Sequence, residues 1–556
     1  MPRSTGRRAP QAHHAPAAGS RPPAPGPRST AFVVSLALTA LVVLLSLTGR
    51  AEAHPVVSRS LWGAGAALLA WQVGLFVRFA RQASAPSIVF AAPRAQHYVQ
   101  ALCQLTVYAY WGWYWRPVYD YAWLLVAQIV FAYAFDLLLS WTRRGTYVLG
   151  FGPLPIVFST NLFLWFRDDW FYLQFLLVAV GFLGKELVRW ERDGRRVHIF
   201  NPSAFSLGLF SLVLIATGTT DWTWGPDIAS TLSLAPHVYL VLFLVGLVVM
   251  YQFAITPVAA TAAATLFGLS AVYGTLVGVP YFLDSEIPSA VFLGLHLLVT
   301  DPSTSPRTPL GRTVFGLLYG MGVFGLYSLL GALGAPTFYD KLLCVPLLNL
   351  AVPSIDTAVA GAMARRRASR PVDLDRAAVP PWQAAVMWLG LGGPAGTHNL
   401  AHMAAWVVFF GAMTAVGSTD GRHRGDGVPF WIQACAENRR HACDRLVQIE
   451  QTYCADNAGW ACNELGRHYT QGRLVASDLD RAFAYFARAC EARFQAGCLN
   501  LLEPESIAEA APRPLDLRLL LREGGRNLVD TPEPALFTRA CEHGWAFACE
   551  RLTRVR

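Results

Sequence analysis

Apolar positions in this chain neither alternate nor recur as helical stripes; they fill long blocks separated by short polar loops. Blocks of this kind with few charges are the mark of membrane-spanning helices. They run at 31–48, 61–79, 101–115, 121–141, 147–166, 170–187 and 202–217, then at 237–253, 257–277, 288–300, 313–333, 341–363 and 398–416. The pattern predicts an all-α fold, a polytopic transmembrane helical bundle of about 12–13 spans; the cysteine repeats beyond it, taken up below, add an α/α solenoid. Several blocks are short or broken by proline, at Pro153, Pro155, Pro257, Pro346 and Pro353. In a bilayer such breaks are tolerated where the backbone is buried in protein or lines a cavity.

The blocks divide the chain. Residues 1–30 read as a disordered, basic Pro/Ala-rich tail. Residues 31–97 hold two leading spans. The first is followed by Ala51-Glu52-Ala53, which has the form of a signal-peptidase site, so a cleaved signal and an uncleaved anchor both stand; the long tail ahead of it favours the anchor. A ten-span domain covers 98–363, a cytoplasmic linker 364–397, a last span 398–417 and a repeat domain 418–556. Composition agrees: 54% of residues are hydrophobic and only 15% charged, against about 25% charged in soluble domains. This excludes a wholly soluble or disordered protein. The net charge of +9 sits in short loops and is a sign of membrane orientation rather than nucleic-acid binding.

Arginines mark alternate loops: Arg81 and Arg94, Arg143 and Arg144, Arg189 to Arg196, Arg307 and Arg312, then Arg365 to Arg367. The intervening loops carry Asp168 and Asp169, Asp221 and Asp227, and Asp284 and Glu286. The basic loops are therefore expected in the cytoplasm, as is the N-terminus. The chain beyond 417 is expected in the periplasm of a bacterium, the bundle lying in its inner membrane.

Eight of the ten cysteines test that count. They form pairs spaced by eight: Cys435 and Cys443, Cys454 and Cys462, Cys490 and Cys498, Cys541 and Cys549. On one continuous helix, residues eight apart are about 12 Å apart, too far for a disulfide. Bonding within a pair requires the chain to turn between its members, and Gly459, Gly497 and Gly544 can end a helix there. Paired cysteines at this density fit an oxidising compartment; reduced, buried cysteine is the alternative. The surrounding text repeats as CAENRRHACDRL, CADNAGWACNEL, CEARFQAGCLNL and CEHGWAFACERL. With Asp480-Arg-Ala-Phe-Ala-Tyr-Phe-Ala-Arg-Ala-Cys490, these units resemble cysteine-rich Sel-like repeats, relatives of tetratricopeptide solenoids. Stacked helix pairs build concave surfaces for protein partners, here an unidentified periplasmic protein.

Three segments of the ten-span domain carry a second resemblance. They are Gly184-Lys-Glu-Leu-Val-Arg with Phe200-Asn-Pro-Ser-Ala-Phe205; Thr300-Asp-Pro-Ser-Thr-Ser-Pro-Arg-Thr-Pro-Leu-Gly-Arg312; and Leu347-Leu-Asn-Leu-Ala-Val-Pro-Ser-Ile-Asp356. Together they are similar to the NqrB/RnfD family, membrane components of the sodium-translocating NADH:quinone reductase and of Rnf electron-transport complexes. The resemblance implies ten spans in two related halves, redox-driven ion transport with partner subunits, and a flavin joined through phosphate to a threonine in a D-x-x-[S/T]-G-A-T motif. In this chain the corresponding segment reads Asp227-Ile-Ala-Ser-Thr-Leu-Ser233, without the Gly-Ala-Thr. Covalent FMN is therefore not expected, and non-covalent FMN or riboflavin is.

The candidate cofactor-binding residues are Asn201, Ser233, Asp301, Thr304 and Ser305. Asn201-Pro202 and Asp301-Pro302 also have the form of helix caps. Asp136 lies within an apolar block, where an ionisable side chain marks a functional candidate, although it is close enough to Trp141 to reach the interface. His296 could relay protons with Asp301 or serve as a bundle residue. His398 and His402, four apart, could share a helix face, but a metal site needs a third ligand. No dinucleotide-binding glycine loop and no iron–sulfur cysteine spacing is present. The sequence thus favours a membrane redox or ion-translocation subunit that depends on other electron-transport subunits. The rival is a non-redox scaffold that presents the solenoid to a partner. The lipid bilayer is the other partner, and nucleic acid is excluded.

Overall fold

A computed structural model describes residues 28–368 and 396–502 except 83, 93–94, 193, 283–284, 420–422, 424, 426–427 and 456, together with 538 and 552–553. The chain forms two compact bodies, residues 1–266 with 289–416 and residues 267–288 with 417–556.

In the first body, α1 (Arg28–Leu45), the single turn α2 (Gly49–Glu52) and α3 (Pro55–Arg81) lead. There follow α4 (Ala95–Tyr114), the turn α5 (Pro117–Asp120), α6 (Ala122–Arg144), α7 (Pro153–Asn161), α8 (Tyr172–Leu187) and α9 (Pro202–Thr217). The sequence continues through α10 (Gly225–Leu234), α11 (Val238–Phe253), α12 (Thr256–Val277), of which residues from 267 on belong to the second body, α13 (Ser289–Leu297), α14 (Pro309–Ala332), α15 (Asp340–Ala368) and α16 (Gly396–Ala415). Strands β1 (Ser87–Phe90) and β2 (Thr146–Leu149) pair in parallel, Ser87 opposite Thr146. Strands β3 (Arg189–Arg192) and β4 (Arg195–His198) form an antiparallel hairpin turning at Gly194, whose φ of +70° suits glycine.

Each predicted block contains a helix, so the all-α membrane bundle holds. Among the described residues, five helices are long and apolar enough to cross a membrane, or six if α10 and α11 count as one bent span. The count falls short of 12–13 because several blocks hold helices that are too short. Pro153 and Pro155 open α7, and the chain leaves helix at Leu162; Pro288 precedes α13, and helix ends at Leu297. Both are nine-residue helices followed by irregular backbone.

Packing repeats between α4–α9 and α11–α15. Short α7 packs on α4 as short α13 packs on α11, and α8 meets α9 as α14 meets α15. Across the halves, α4 meets α11 and α9 meets α15. Pro346 lacks the N–H that would bond the Leu342 carbonyl. A Cβ on Gly208 would lie 3.0 Å from that carbonyl and 2.6 Å from the proline ring, so glycine sets the approach of α9 to α15. The leading helices pack through Leu61, Leu68 and Leu75 onto Phe131, Leu138 and Phe175, and Gln72 ties α3 to Ser35 and Thr39 of α1.

The second body contains α17 (Val428–Ala436), α18 (Ala442–Ala455), α19 (Gly459–Gln471), α20 (Leu479–Glu491) and α21 (Gln495–Leu502). Disulfides join Cys435 to Cys443, Cys454 to Cys462 and Cys490 to Cys498 across successive turns. The fourth pair, Cys541 and Cys549, lies outside the described residues. The turns themselves are not made by glycine. Asn438, His441, Asn457 and Arg493 take positive φ, while Gly459 and Gly497 sit inside the following helices. A Cβ on Gly459 would lie 2.5 Å from Cβ of Phe494, and one on Gly497 would lie 2.4 Å from Cβ of Ala489. These glycines serve close helix packing, which spacing alone could not separate from a helix stop.

The 278–288 loop is part of this body. Val279 packs with buried Trp431, Ala434 and Leu446. Arg439 donates to the Gly278 carbonyl and Arg445 to that of Tyr281. Ser285 Oγ donates to the Ser418 carbonyl, and Glu286 pairs with His423 at 3.2 Å. Burial pushes the Glu286 carboxyl up, but the His423 imidazole against it and the nearby Ser418 side chain outweigh burial and hold the group below its ordinary 4.5.

Candidate functional site

The three segments singled out in the sequence converge on one junction between the halves. Asn201 caps α9, its Oδ1 accepting the N–H groups of Ser203 and Ala204 at 3.0 and 3.3 Å. The same side chain donates through Nδ2 to the Leu298 carbonyl just past α13, at 3.1 Å. The Asn201 N–H donates to Oδ1 of Asn349 on α15, and Asn349 Nδ2 reaches the Thr304 carbonyl. From the hairpin, Arg192 pairs with Asp356 of α15 at 2.7 Å and donates to the Ser305 carbonyl. The other Asp356 oxygen accepts the Arg307 N–H at 3.2 Å. One buried asparagine and one ion pair thus lock a helix start, an irregular loop and a proline-bent helix together.

Asp301 is not a helix cap. Its Oδ1 accepts the N–H and hydroxyl of Ser303 at 3.0 and 2.7 Å, its Oδ2 accepts the Thr304 hydroxyl at 3.1 Å, and its carbonyl accepts the Ser305 hydroxyl. The chain stays in turns until Thr308 caps α14 through the Gly311 N–H. Prolines at 302, 306 and 309 remove the backbone donors and restrict the preceding residues, so helix cannot start earlier. Thr304 and Ser305 are buried with their hydroxyls committed inside this loop. His198 Nε2 lies 3.0 Å from the Ser303 hydroxyl at the outer edge. Burial pulls this imidazole below its ordinary value; Asp301 opposes the shift, while Lys185 and Arg189 add to it.

Ser233 is not brought to this junction; its hydroxyl donates to the Ala229 and Ser230 carbonyls of its own helix. Neighbouring Thr231 donates to the Asp227 carbonyl and accepts from Trp111 Nε1 at 3.2 Å, while Leu232 is buried. Asp136 lies near Tyr147, Lys185 and Glu186. His296 is a packed bundle residue: its Nδ1 meets the Phe292 carbonyl at 2.8 Å, and its ring rests on Phe292 and Trp406. Among the described residues no cluster of three metal-ligating side chains exists, and His402 is exposed.

Two buried polar groups escaped sequence reasoning. Gln128, Asn161 and Gln174 share amide hydrogen bonds of 2.7–3.2 Å; an amide side chain inside each of three apolar blocks was the available signal. Lys341, one of only two lysines, is fully buried beside Asp340 at 3.3 Å.

Fold and junction define a multi-pass, all-α membrane protein whose halves are bound by buried amides and an arginine–aspartate pair. The chain is 35% identical over 125 residues to the D-type component of an ion-translocating oxidoreductase complex of Actinobacillus succinogenes. The match covers 22% of this chain and spans about a third of that relative's length (33%). No family model matches the chain, and no solved structure matches it.

Proposed function

We propose that this chain is a membrane-embedded subunit of an ion-translocating redox complex, operating with partner electron-transport subunits. The observation that carries this reading is the convergence of the three resembling segments on one buried junction, together with the partial likeness to a component of an ion-translocating oxidoreductase complex. Two halves that repeat one packing pattern around short helices suit alternating access to a central pathway. The cofactor is a flavin held without a covalent bond. Engaged hydroxyls at Thr231 and Ser233 and the buried Leu232 argue against an ester-linked one.

We place the protein in a bacterial inner membrane, N-terminus cytoplasmic. The helical hairpins and the 278–288 loop belong to one body and so share one side of the bilayer. That loop carries Asp284 and Glu286 and no arginine, which supports the periplasmic side, and three disulfides fit the same compartment. The hairpins resemble Sel-like repeats and serve to bind a periplasmic protein. The test is affinity purification of the tagged full chain from native membranes in mild detergent. Co-elution of flavin- or iron–sulfur-bearing membrane subunits is expected; elution with periplasmic proteins alone would favour the scaffold.

A further inference from the structure

The leading helices lie outside the resembling segments, and α3 does not close fully on α6 and α8. Between them runs an open groove of about 660 Å³, a size that suits one small elongated molecule, for which sites measure roughly 300–1,000 Å³. Arg59, Gly63 and Ala67 line it at four-residue spacing on α3, so a helix surface nearly bare of side chains faces the rings of Phe131 and Phe175. The α3 wall extends from Val56 to Ala67, about 16 Å at 1.5 Å per residue. A bilayer's hydrocarbon core is about 30 Å thick, so the groove is one leaflet long.

Its polar groups gather at one end. Arg59 and Ser60 stand in the second turn of α3, Asp169 stands in the short turn before α8, and Tyr172 is the first residue of α8. Ser60 spends its hydroxyl on the Val56 carbonyl, and Arg59 Nε donates to that of Pro55. Arg59 and Asp169 are both exposed, and neither forms an ion pair among the described residues. The mouth therefore presents one cation and one anion above an apolar trough.

We propose that this groove binds one acyl chain of a zwitterionic phospholipid of the phosphatidylethanolamine class, phosphate on Arg59 and ammonium on Asp169. A purely anionic headgroup meets repulsion from Asp169, and an uncharged quinone leaves both charges unmatched. The trough excludes an occupant that crosses both leaflets.

The experiment uses the full chain in detergent, washed until bulk lipid is gone. Phosphatidylethanolamine and phosphatidylglycerol with identical chains are then added in equal amounts, and native mass spectrometry counts what is held. One phosphatidylethanolamine per chain is expected, preferred about tenfold. Asp169→Asn should bring that preference close to unity, and Arg59→Gln should weaken retention of both lipids; both are exposed substitutions that leave the fold intact. Ala67→Phe, which fills the trough, should release the lipid. Equal retention of the two lipids by the unmodified protein, preferential retention of added quinone, or retention indifferent to Arg59→Gln and Asp169→Asn overturns the proposal.

Discussion

Replacing Asn201 separates the two duties this residue performs. Its oxygen caps α9, and its nitrogen holds the Leu298 carbonyl beyond α13. Asn201→Ala removes both. Loss of an N-cap costs roughly 0.5–2 kcal/mol, and a buried carbonyl left without its donor costs roughly 1–3 kcal/mol. Together they amount to roughly 1.5–5 kcal/mol if the two terms add. Asn201→Ser retains a capping oxygen but is too short to reach Leu298, so it should lose only the second part. The assay is thermal unfolding of the purified full chain in detergent, followed by tryptophan fluorescence. The expected order of midpoints is wild type above Asn201→Ser above Asn201→Ala. If serine matched the wild type, the tie to Leu298 would carry nothing. If alanine also matched it, the junction would not be what binds the halves, and the reasoning would fail.

Three further outcomes follow from the second body and the arginine pattern. Replacing Cys454 and Cys462 together by alanine should destabilise that body by about 2.5 kcal/mol, the loop-closure value for a separation of eight residues; free thiols at these positions in protein taken from native membranes would defeat both pairing and compartment. Because Glu286 sits below 4.5, its contribution to docking the 278–288 loop is fully present above that pH and lost as pH falls further. Acid unfolding below pH 4.5 should therefore be steeper in the wild type than in Glu286→Gln, and parallel curves would refute the role. A reporter active only in the cytoplasm should work when fused after Arg367 and stay silent at Arg556; activity at both sites would place the hairpins inside.

Much of this architecture was legible because the bilayer simplifies the code: each apolar block had to become helix or stay buried, and the α9 block, 202–217, matches its helix end to end. The Asn201 cap was legible for a local reason, since asparagine before proline satisfies backbone donors within three residues. Asp301-Pro302 has the same local form, but Pro306 and Pro309 downstream decide against helix. The Arg192–Asp356 pair, 164 residues apart, left no local trace. Nor did the 278–288 loop as the packing partner of Trp431, because its apolar residues serve another part of the chain. Gly459 shows a different limit: a glycine near a helix boundary suits a stop and a close contact equally, and only the neighbouring Phe494 distinguishes them.

The proposed redox subunit with a non-covalent flavin has an optical test. The visible spectrum of the purified full chain, recorded before and after chemical reduction and again on the supernatant after acid precipitation, reports both the cofactor and its attachment. A flavin spectrum that bleaches on reduction is expected, close to one flavin per chain, recovered entirely in the supernatant. Flavin fluorescence retained on the protein band after denaturation would contradict the mode of attachment, and a chain purified without any reducible chromophore would contradict the redox assignment itself.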